Sequence, residues 1–264
     1  MQKRNKTGYA FFDLDFTVLH HDTMLLFCNY ILQKEPWRIF FLFIFLPVMP
    51  LAALKLIRSK NLKRIFFSFL WRMPLQKLSE YTKDFVDTVV IPQVHPELLN
   101  EIKRHKKENR ITVLNTASPD IYPAYIAKQL GFDTYYATQF ILSDPVPLFI
   151  PVKGQNNKRA VKLFSMKEIL PDRIQKGLEK GEYKYEEPGK DPVINNSWAY
   201  SDSPADLPML FLSENPVLIN PISRRLLKIQ NKYNWRVLKP GKCKKRLCTY
   251  FQMIRQLFGL YKSS

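Results

Sequence analysis

The sequence predicts an α/β protein: an open, mainly parallel sheet flanked by helices, with an all-helical segment inserted early in the chain. Three observations carry this reading. Tyr9–Phe12 is an apolar, aromatic run of the kind that forms a buried strand, and it leads straight into Asp13 and Asp15. Ile111–Asn115 is a second such run, stopping at the small hydroxyl residue Thr116 before a helical pattern, the order found in open α/β sheets. Between them, residues 20–95 show the three-to-four-residue periodicity of helices and no alternating strand pattern.

Side chains two apart on a strand share a face, so Asp13 and Asp15 are predicted to project together from the first strand's C-terminal end. Two like charges held close are costly unless a cation sits between them or one carboxyl keeps its proton. Both arrangements suit phosphoryl transfer: one Asp attacks phosphorus with Mg²⁺ neutralising the charge, and the other handles the leaving-group proton. A polar strand end that caps a helix is the alternative from this stretch alone.

His20-His21-Asp22-Thr23 precedes a predicted helix over Met24–Lys34, with Asp22 or Thr23 as its cap. Adjacent histidines make a poor chelate, so this knot reads as a loop at the mouth of the site, in reach of substrate. Ile39–Leu54 is a run of sixteen uncharged residues interrupted by Pro47 and Pro50. A membrane span needs roughly 20 apolar residues, and prolines break a helix. The expectation is therefore a short helix, a proline turn and a second helix through Leu51–Ile57. Either it is a re-entrant hairpin in one leaflet or it is the buried centre of a helical insertion. Lys34 and Arg38 precede it; Lys55, Arg58, Lys60, Lys63, Arg64 and the Phe-rich Ile65–Trp71 follow. Apolar area beside basic residues is the pattern of an interfacial segment. Leu75, Leu78, Tyr81, Phe85 and Val89 then mark an amphipathic helix, His95 reads as structural, and Pro96 opens a helix over 97–107.

Downstream, Thr116 and the N–H groups after it are predicted to lie at the sheet's C-terminal edge, where helix N-termini favour phosphate. A helix over Ile121–Leu130 stops at Gly131, a short strand falls within 132–139, and 140–152 has a proline-broken hairpin character. Lys158 opens a helix predicted over Arg159–Ile169, a poor place for a lysine electrostatically; it is either solvated or leaning over a phosphate. Residues 172–192 read as a polar surface excursion. Asp202 ends a strand and Asp206 follows four residues later, a spacing that permits both to converge on the cation that Asp13 requires. A strand over Asn215–Pro221, a helix over Arg225–Asn231 and a closing Trp235–Leu238 finish the domain. The tail from Lys239 has seven Lys/Arg and no acid, with Tyr250, Phe251, Ile254, Leu257 and Tyr261 at helical spacing.

The 264 residues suit one main domain with an insertion. A net charge of +18 favours polyanionic partners, nucleic acid or an anionic membrane surface. Nucleic acid is set aside because no compact recognition motif is present and the positive charge lies beside apolar stretches. Three cysteines, Cys28, Cys243 and Cys248, are too few for a disulfide framework and suit a reducing compartment, and Cys243 and Cys248 read as spectators. No cleavable signal is expected ahead of Tyr9, since the first eight residues are polar.

Taken together, these motifs resemble the haloacid dehalogenase superfamily, in the branch around phosphoserine phosphatase whose members carry a helical C1 cap. The family's Asp-x-Asp-x-Thr matches Asp13 to Thr17, its strand-end Ser/Thr matches Thr116, its lysine matches Lys158, and its last acidic motif matches Asp202 and Asp206. The resemblance implies a Rossmann-like core over 1–19 and 96–240, a helical cap over 20–95 and a basic amphipathic tail over 241–264. It implies Asp13 as nucleophile, Asp15 as general acid/base and Thr116 and Lys158 on the phosphoryl group. Mg²⁺ would be held by Asp13, the Asp15 main-chain carbonyl and Asp202, with Asp206 in support. Phe16 stands where a glycine is common, and Asp22 is the nearest acid to the position where phosphoserine-type sites carry a glutamate, which makes Asp22 the possible substrate contact. The Phe-rich, proline-split cap is similar to that of bacterial phosphatidylglycerophosphate phosphatases of type C. The expected function is Mg²⁺-dependent hydrolysis of a phosphomonoester, on a lipid phosphate at the cytoplasmic side of a membrane. A small soluble metabolite in the cytoplasm, or phosphotransfer by the same site, is the alternative.

Overall fold

The computed structural model describes residues 8–185, 187–191, 193–241 and 246–262. Six parallel strands form one sheet in the order β3-β2-β1-β4-β5-β6: β1 is Gly8–Phe12, β2 Arg110–Pro119, β3 Thr134–Thr138, β4 Ile194–Ser201, β5 Ser213–Ile219 and β6 Arg236–Leu238. The strand carrying Asp13 is central, with β2 and β4 on its two sides, so both neighbours deliver their ends to the same edge. Gly8 permits the close approach of β1 and β4: a Cβ there would lie 2.2 Å from the Asn196 carbonyl oxygen.

Alternation along the central strands sorts the core into two layers. Phe12, Leu114 and Tyr200 face one side, with the helices of the insertion and Pro123–Leu130. Phe11, Val113 and Ala199 face the other, against Leu163, Leu178, Leu210 and Leu226 from the later helices. Phe12 stacks on Tyr200 with ring centroids 4.4 Å apart. The expected α/β architecture with an inserted all-helical cap is the one observed.

Several elements differ from expectation. β2 continues past Thr116 to Pro119, and the next helix starts only at Pro123, so no helix N-terminus directly follows Thr116. Its C-terminal stop is the expected one, Gly131 in the left-handed region at φ 73°. The predicted helix over Arg159–Ile169 is a turn through Arg159, a short helix Val161–Ser165 and a 3-10 turn Lys167–Ile169. Residues 172–179 form a helix that buries Ile174 and Leu178, where a surface excursion was expected.

The apolar run of the insertion also departs from the expected proline turn. Pro36–Ala53 runs as a succession of short α and 3-10 turns whose junction residues all keep right-handed helical φ/ψ. Pro47 and Pro50 are tolerated because each falls in the first turn of a new short helix, where its missing N–H is not needed. Phe41, Leu42 and Phe45 pack into the core against Phe66 and Phe69. Arg38 anchors the run: its Nε donates to Glu35 at 2.7 Å and its guanidinium to the Phe69 and Trp71 carbonyls at 2.7 and 2.9 Å.

The first helix of the insertion, α1 (Thr23–Lys34), is capped by Asp22, whose Oδ1 accepts from the Met24 and Leu25 N–H groups. The tail helix Arg246–Leu257 packs along α1, and the Tyr261 backbone pairs in both directions with the Asn29 side-chain amide, at 3.0 Å each way. His20 and His21 face this tail instead of the mouth of the site: His21 lies beside Gln252, Gln256 and Tyr261, and His20 packs edge-on against His95 and close to Gly241. Cys243 lies outside the described residues.

Candidate active site

A cleft of about 430 Å³ opens between the C-terminal edge of the sheet and the cap, lined on the core side by Asp13, Asp15, Ser118, Lys162, Asp202 and Asp206. A larger groove of about 1030 Å³ runs along β3 beside Tyr135, Tyr136 and Phe164, outside this constellation.

Asp13 leaves β1 in extended conformation with its N–H on the Tyr200 carbonyl at 3.1 Å. The chain then turns at Phe16, whose φ of 57° lies in the left-handed region, and closes through the Leu19 N–H to the Leu14 carbonyl. This is the position where the related motif commonly has glycine, which enters that region without the Cβ clash. The turn sends Thr17 back beneath the site: its buried hydroxyl lies 3.4 Å from both Asp13 Oδ2 and Asp202 Oδ1 and accepts the Asp202 N–H at 3.1 Å.

Asp15 is fixed by neutral donors. Its Oδ1 accepts from the Thr23 N–H at 2.7 Å and hydroxyl at 2.6 Å, and its Oδ2 from the Ser118 hydroxyl at 2.7 Å. Asp13 faces a cation instead: Lys162 Nζ lies 2.6 Å from Asp13 Oδ1 and 2.9 Å from Asp206 Oδ2, with both partners and the lysine buried. Asp206 also accepts from the Ser201 hydroxyl at 2.7 Å.

The amine at the carboxylates is thus Lys162 and not Lys158. Lys158 lines the cleft from an exposed position at its rim. The helix starts at Val161, so the residue directed inward is one place into the helix. The signal was a lysine between Val161 and Leu163, in a helix whose neighbours are apolar. Thr116 likewise sits one layer deeper than expected, fully buried, with its hydroxyl accepting the Ser118 N–H at 3.0 Å. Ala117 and Ser118 line the cleft from this strand. Asn115 and Asn157 tie this floor together: Asn157 donates to Asn115 and to the Thr116 carbonyl, and Asn115 donates to the Lys162 carbonyl.

Two cap residues enter the same space. Asp22 lines the cleft while it caps α1; burial, and then the Asp15 charge, push its carboxyl up to about 7. Lys63, on the helix Ser59–Phe66, is buried with its Nζ on the Ala117 carbonyl and, at 2.6 Å, on Asn156 Oδ1. Burial lowers Lys63 to about 8 against the pull of Asp15 and Asp22. The sequence pointed to Lys63 only as one of several flanking cations, because nothing local shows which lysine of an amphipathic helix faces inward. Apart from Ser59, the rest of the cap wall, Met24, Leu25, Phe45, Met49, Leu62 and Phe66, is apolar.

Charge in the cleft is unbalanced. Burial pushes Asp13 up to about 7, Lys162 opposes this, and Asp206 and Asp15 add to it. Burial, then Asp13 and Asp206, raise Asp202 well above the usual carboxylate range. Lys162 stays above its ordinary value although burial opposes it, because two carboxylates hold its proton. Three carboxyls, Asp13, Asp202 and Asp206, thus crowd around one lysine. No group of three metal-ligating side chains stands in binding geometry among the described residues. The oxygen-only donor set nonetheless has the chemistry that suits Mg²⁺.

Sequence and fold agree on the class of protein. The haloacid dehalogenase-like hydrolase family model matches residues 10–210, and the chain belongs to that family. Its fold is shared with a protein of unknown function from Bordetella pertussis Tohama I, at 20% identity over 89% of this chain and 99% of that one, TM-score 0.69. It is shared with a HAD family hydrolase from Salmonella enterica serovar Typhi, at 14% identity over 95% of this chain and 70% of that one, TM-score 0.56. A phosphoserine phosphatase carrying a phospho-aspartyl intermediate analogue matches at 18% identity over 90% and 96% of the two chains, TM-score 0.52. No curated protein matches the chain in sequence.

Proposed function

We propose that the protein is a phosphomonoesterase working through an aspartyl-phosphate on Asp13. One observation carries this: Asp13 and Asp15 share one cleft but are held by opposite means, Asp13 against the Lys162 cation and Asp15 by neutral hydroxyl and N–H donors. An Asp13 carboxylate oxygen attacks phosphorus as the ester P–O bond breaks, and Asp15 gives its proton to the departing alkoxide. Asp15 then takes a proton from the water that attacks the acyl-phosphate, which releases inorganic phosphate and restores Asp13. Lys162 offsets charge on Asp13 and on the incoming phosphate, and Thr116 and Ser118 shape the strand end where that phosphate rests. Asp13, Asp202 and the Asp15 carbonyl are the groups that would hold Mg²⁺, with Asp206 behind them. When bound, the ion offsets carboxylate repulsion and polarises the phosphoryl group.

Two substrate classes fit this site. A small soluble phosphate ester is the class favoured by the relatives named as phosphoserine phosphatases. A lipid phosphomonoester such as phosphatidylglycerophosphate is favoured by the apolar cap wall of Phe45, Met49, Leu62 and Phe66, and Asp22 is then a headgroup contact. The test is turnover of a panel of soluble phosphomonoesters and micelle-borne lipid phosphates with Mg²⁺ and with chelator. The wild type is expected to release phosphate only with the ion present. Asp13→Asn is expected to lower kcat by about 10⁴-fold or more, and Asp15→Asn to leave some phosphorylation but stall turnover. Normal turnover by Asp13→Asn would remove the mechanism.

A further inference from the structure

We propose that the outer face of the cap, from Trp37 to Leu56, is a docking surface for an anionic lipid bilayer. This goes beyond the phosphatase reading, since such docking needs no chemistry at Asp13 and suits either substrate class.

The cap's apolar run has two faces with opposite fates. Phe41, Leu42 and Phe45 are 4–6% exposed, packed on Phe66 and Phe69. On the other face, Trp37, Phe40 and Phe43 point outward at 55, 63 and 77% exposure, and Leu54 and Leu56 follow at 70 and 69%. Phe40 and Phe43 stack on each other at the surface, ring centroids 6.1 Å apart. The best 18-residue window, Pro36–Ala53, has a mean hydropathy of 1.7 and is only 22% buried. That much contiguous apolar surface on a water-facing cap marks an interaction site.

Two arguments select a bilayer surface as the occupant. The first is charge: residues 36–79 contain eight Lys/Arg and no Asp or Glu, and six of the eight remain once the buried Arg38 and Lys63 are set aside. Lys55 and Arg58 stand exposed at the end of the strip, and exposed Arg72 lies over the ring of half-exposed Trp71. Basic side chains around aromatic and leucine side chains are complementary to anionic headgroups above acyl chains. The second is continuity: Met49 is 43% exposed on the strip and also lines the catalytic cleft, so the apolar surface runs into the site. The geometry is interfacial, not spanning, because one face of the run is already packed on protein and cannot be surrounded by lipid.

Sedimentation of the full chain with phosphatidylcholine vesicles, alone or mixed with phosphatidylglycerol, tests this. The protein is expected to pellet with the mixed vesicles and to bind the neutral ones more weakly. Phe40→Ser with Phe43→Ser is expected to weaken binding at least about tenfold, from lost apolar insertion, with turnover of a soluble phosphate ester unchanged. Lys55→Glu with Arg58→Glu is expected to abolish the preference for anionic vesicles. Asp13→Asn is expected to bind vesicles like the wild type, which separates docking from the phosphatase reading. The proposal is overturned if the full chain stays in the supernatant with both vesicle types at low salt. It is also overturned if the Phe40/Phe43 variant binds as tightly as the wild type, or if the strip proves to pair two copies of the chain without binding vesicles.

Discussion

The two walls of the cleft are built on opposite principles. On the core side nearly every group is polar, buried and partnered: Asp13 and Asp206 meet Lys162, Asp15 meets Thr23 and Ser118, and Thr17 bridges Asp13 and Asp202. On the cap side the wall is apolar apart from Asp22, Ser59 and Lys63, and it continues outward into exposed Phe, Leu and Met side chains. Buried charge demands fixed geometry, because a charge that loses its partner pays the full desolvation cost. Apolar contact is tolerant of shape. The core wall is therefore suited to one reaction, and the cap wall to choosing what is presented to it.

The largest effect should come from removing the core wall's cation. Lys162→Met leaves Asp13 and Asp206 facing each other in a buried site. We expect a loss of about 3 kcal/mol of stability at neutral pH and of about 10²–10³ in kcat, read by denaturant melts and steady-state kinetics. Lys158→Met, at the exposed rim, should change kcat by less than about tenfold. Equal effects of the two would show that the ion pair is not central.

Next comes the divided apolar run. Phe45→Ala should cost about 3 kcal/mol by leaving a cavity against Phe66, whereas Phe43→Ala should stay within about 0.5 kcal/mol. Thermal melts of the two variants separate a packed face from a solvent-facing one.

Lys63 sharpens the contrast within the cap wall. Its folded pKa of about 8 lies below the free lysine value of 10.5. The amine is a cation below about pH 8 and neutral above it, so KM for a phosphate ester should rise as pH passes through 8. Lys63→Met should raise KM at neutral pH and remove that limb. For stability the sign follows from proton binding. Between the folded and free values the unfolded chain holds the extra proton, so this group makes stability rise across pH 8 to 10.5, and Lys63→Met should flatten the rise.

The smallest effect is expected at Phe16. Phe16→Gly relieves left-handed strain of about 1 kcal/mol and adds comparable chain entropy to the unfolded state. The net stability change should stay under about 1 kcal/mol, with a modest rise in KM from the lost ring at the cleft.

The sheet was legible from sequence because its strands are short apolar runs that end in punctuated loops. Asp13, Asp15, Asp202 and Asp206, which the sequence groups as carboxylates at strand ends, line one cleft. The sequence singles out Lys158, whereas the structure sets Lys162 on the carboxylates and Lys158 at the rim, because helix starts are set by local turns, here the left-handed Arg159, that periodicity does not show. Thr116 is expected at the cleft if β2 ends there; β2 runs on, and Ser118, itself buried, lines the cleft instead. Lys63, the tail's packing on α1 and the split of Phe40 and Phe43 from Phe41 and Phe45 all depend on tertiary contacts. No window of sequence contains them.

The arrangement of strands and tail also sets an order on folding. The strand of Asp13 lies between β2 and β4, and the bridge from Thr17 to Asp202 joins residues 185 positions apart. The helix that fixes Asp15 is tied over a longer separation still, by the Asn29 side-chain amide pairing with the backbone of Tyr261, 232 positions on. Contacts of such long separation form late. Asp13 therefore stands without its cation until Lys162, 149 positions later, has packed onto the sheet, and its loop is closed only by a residue 185 positions from Thr17.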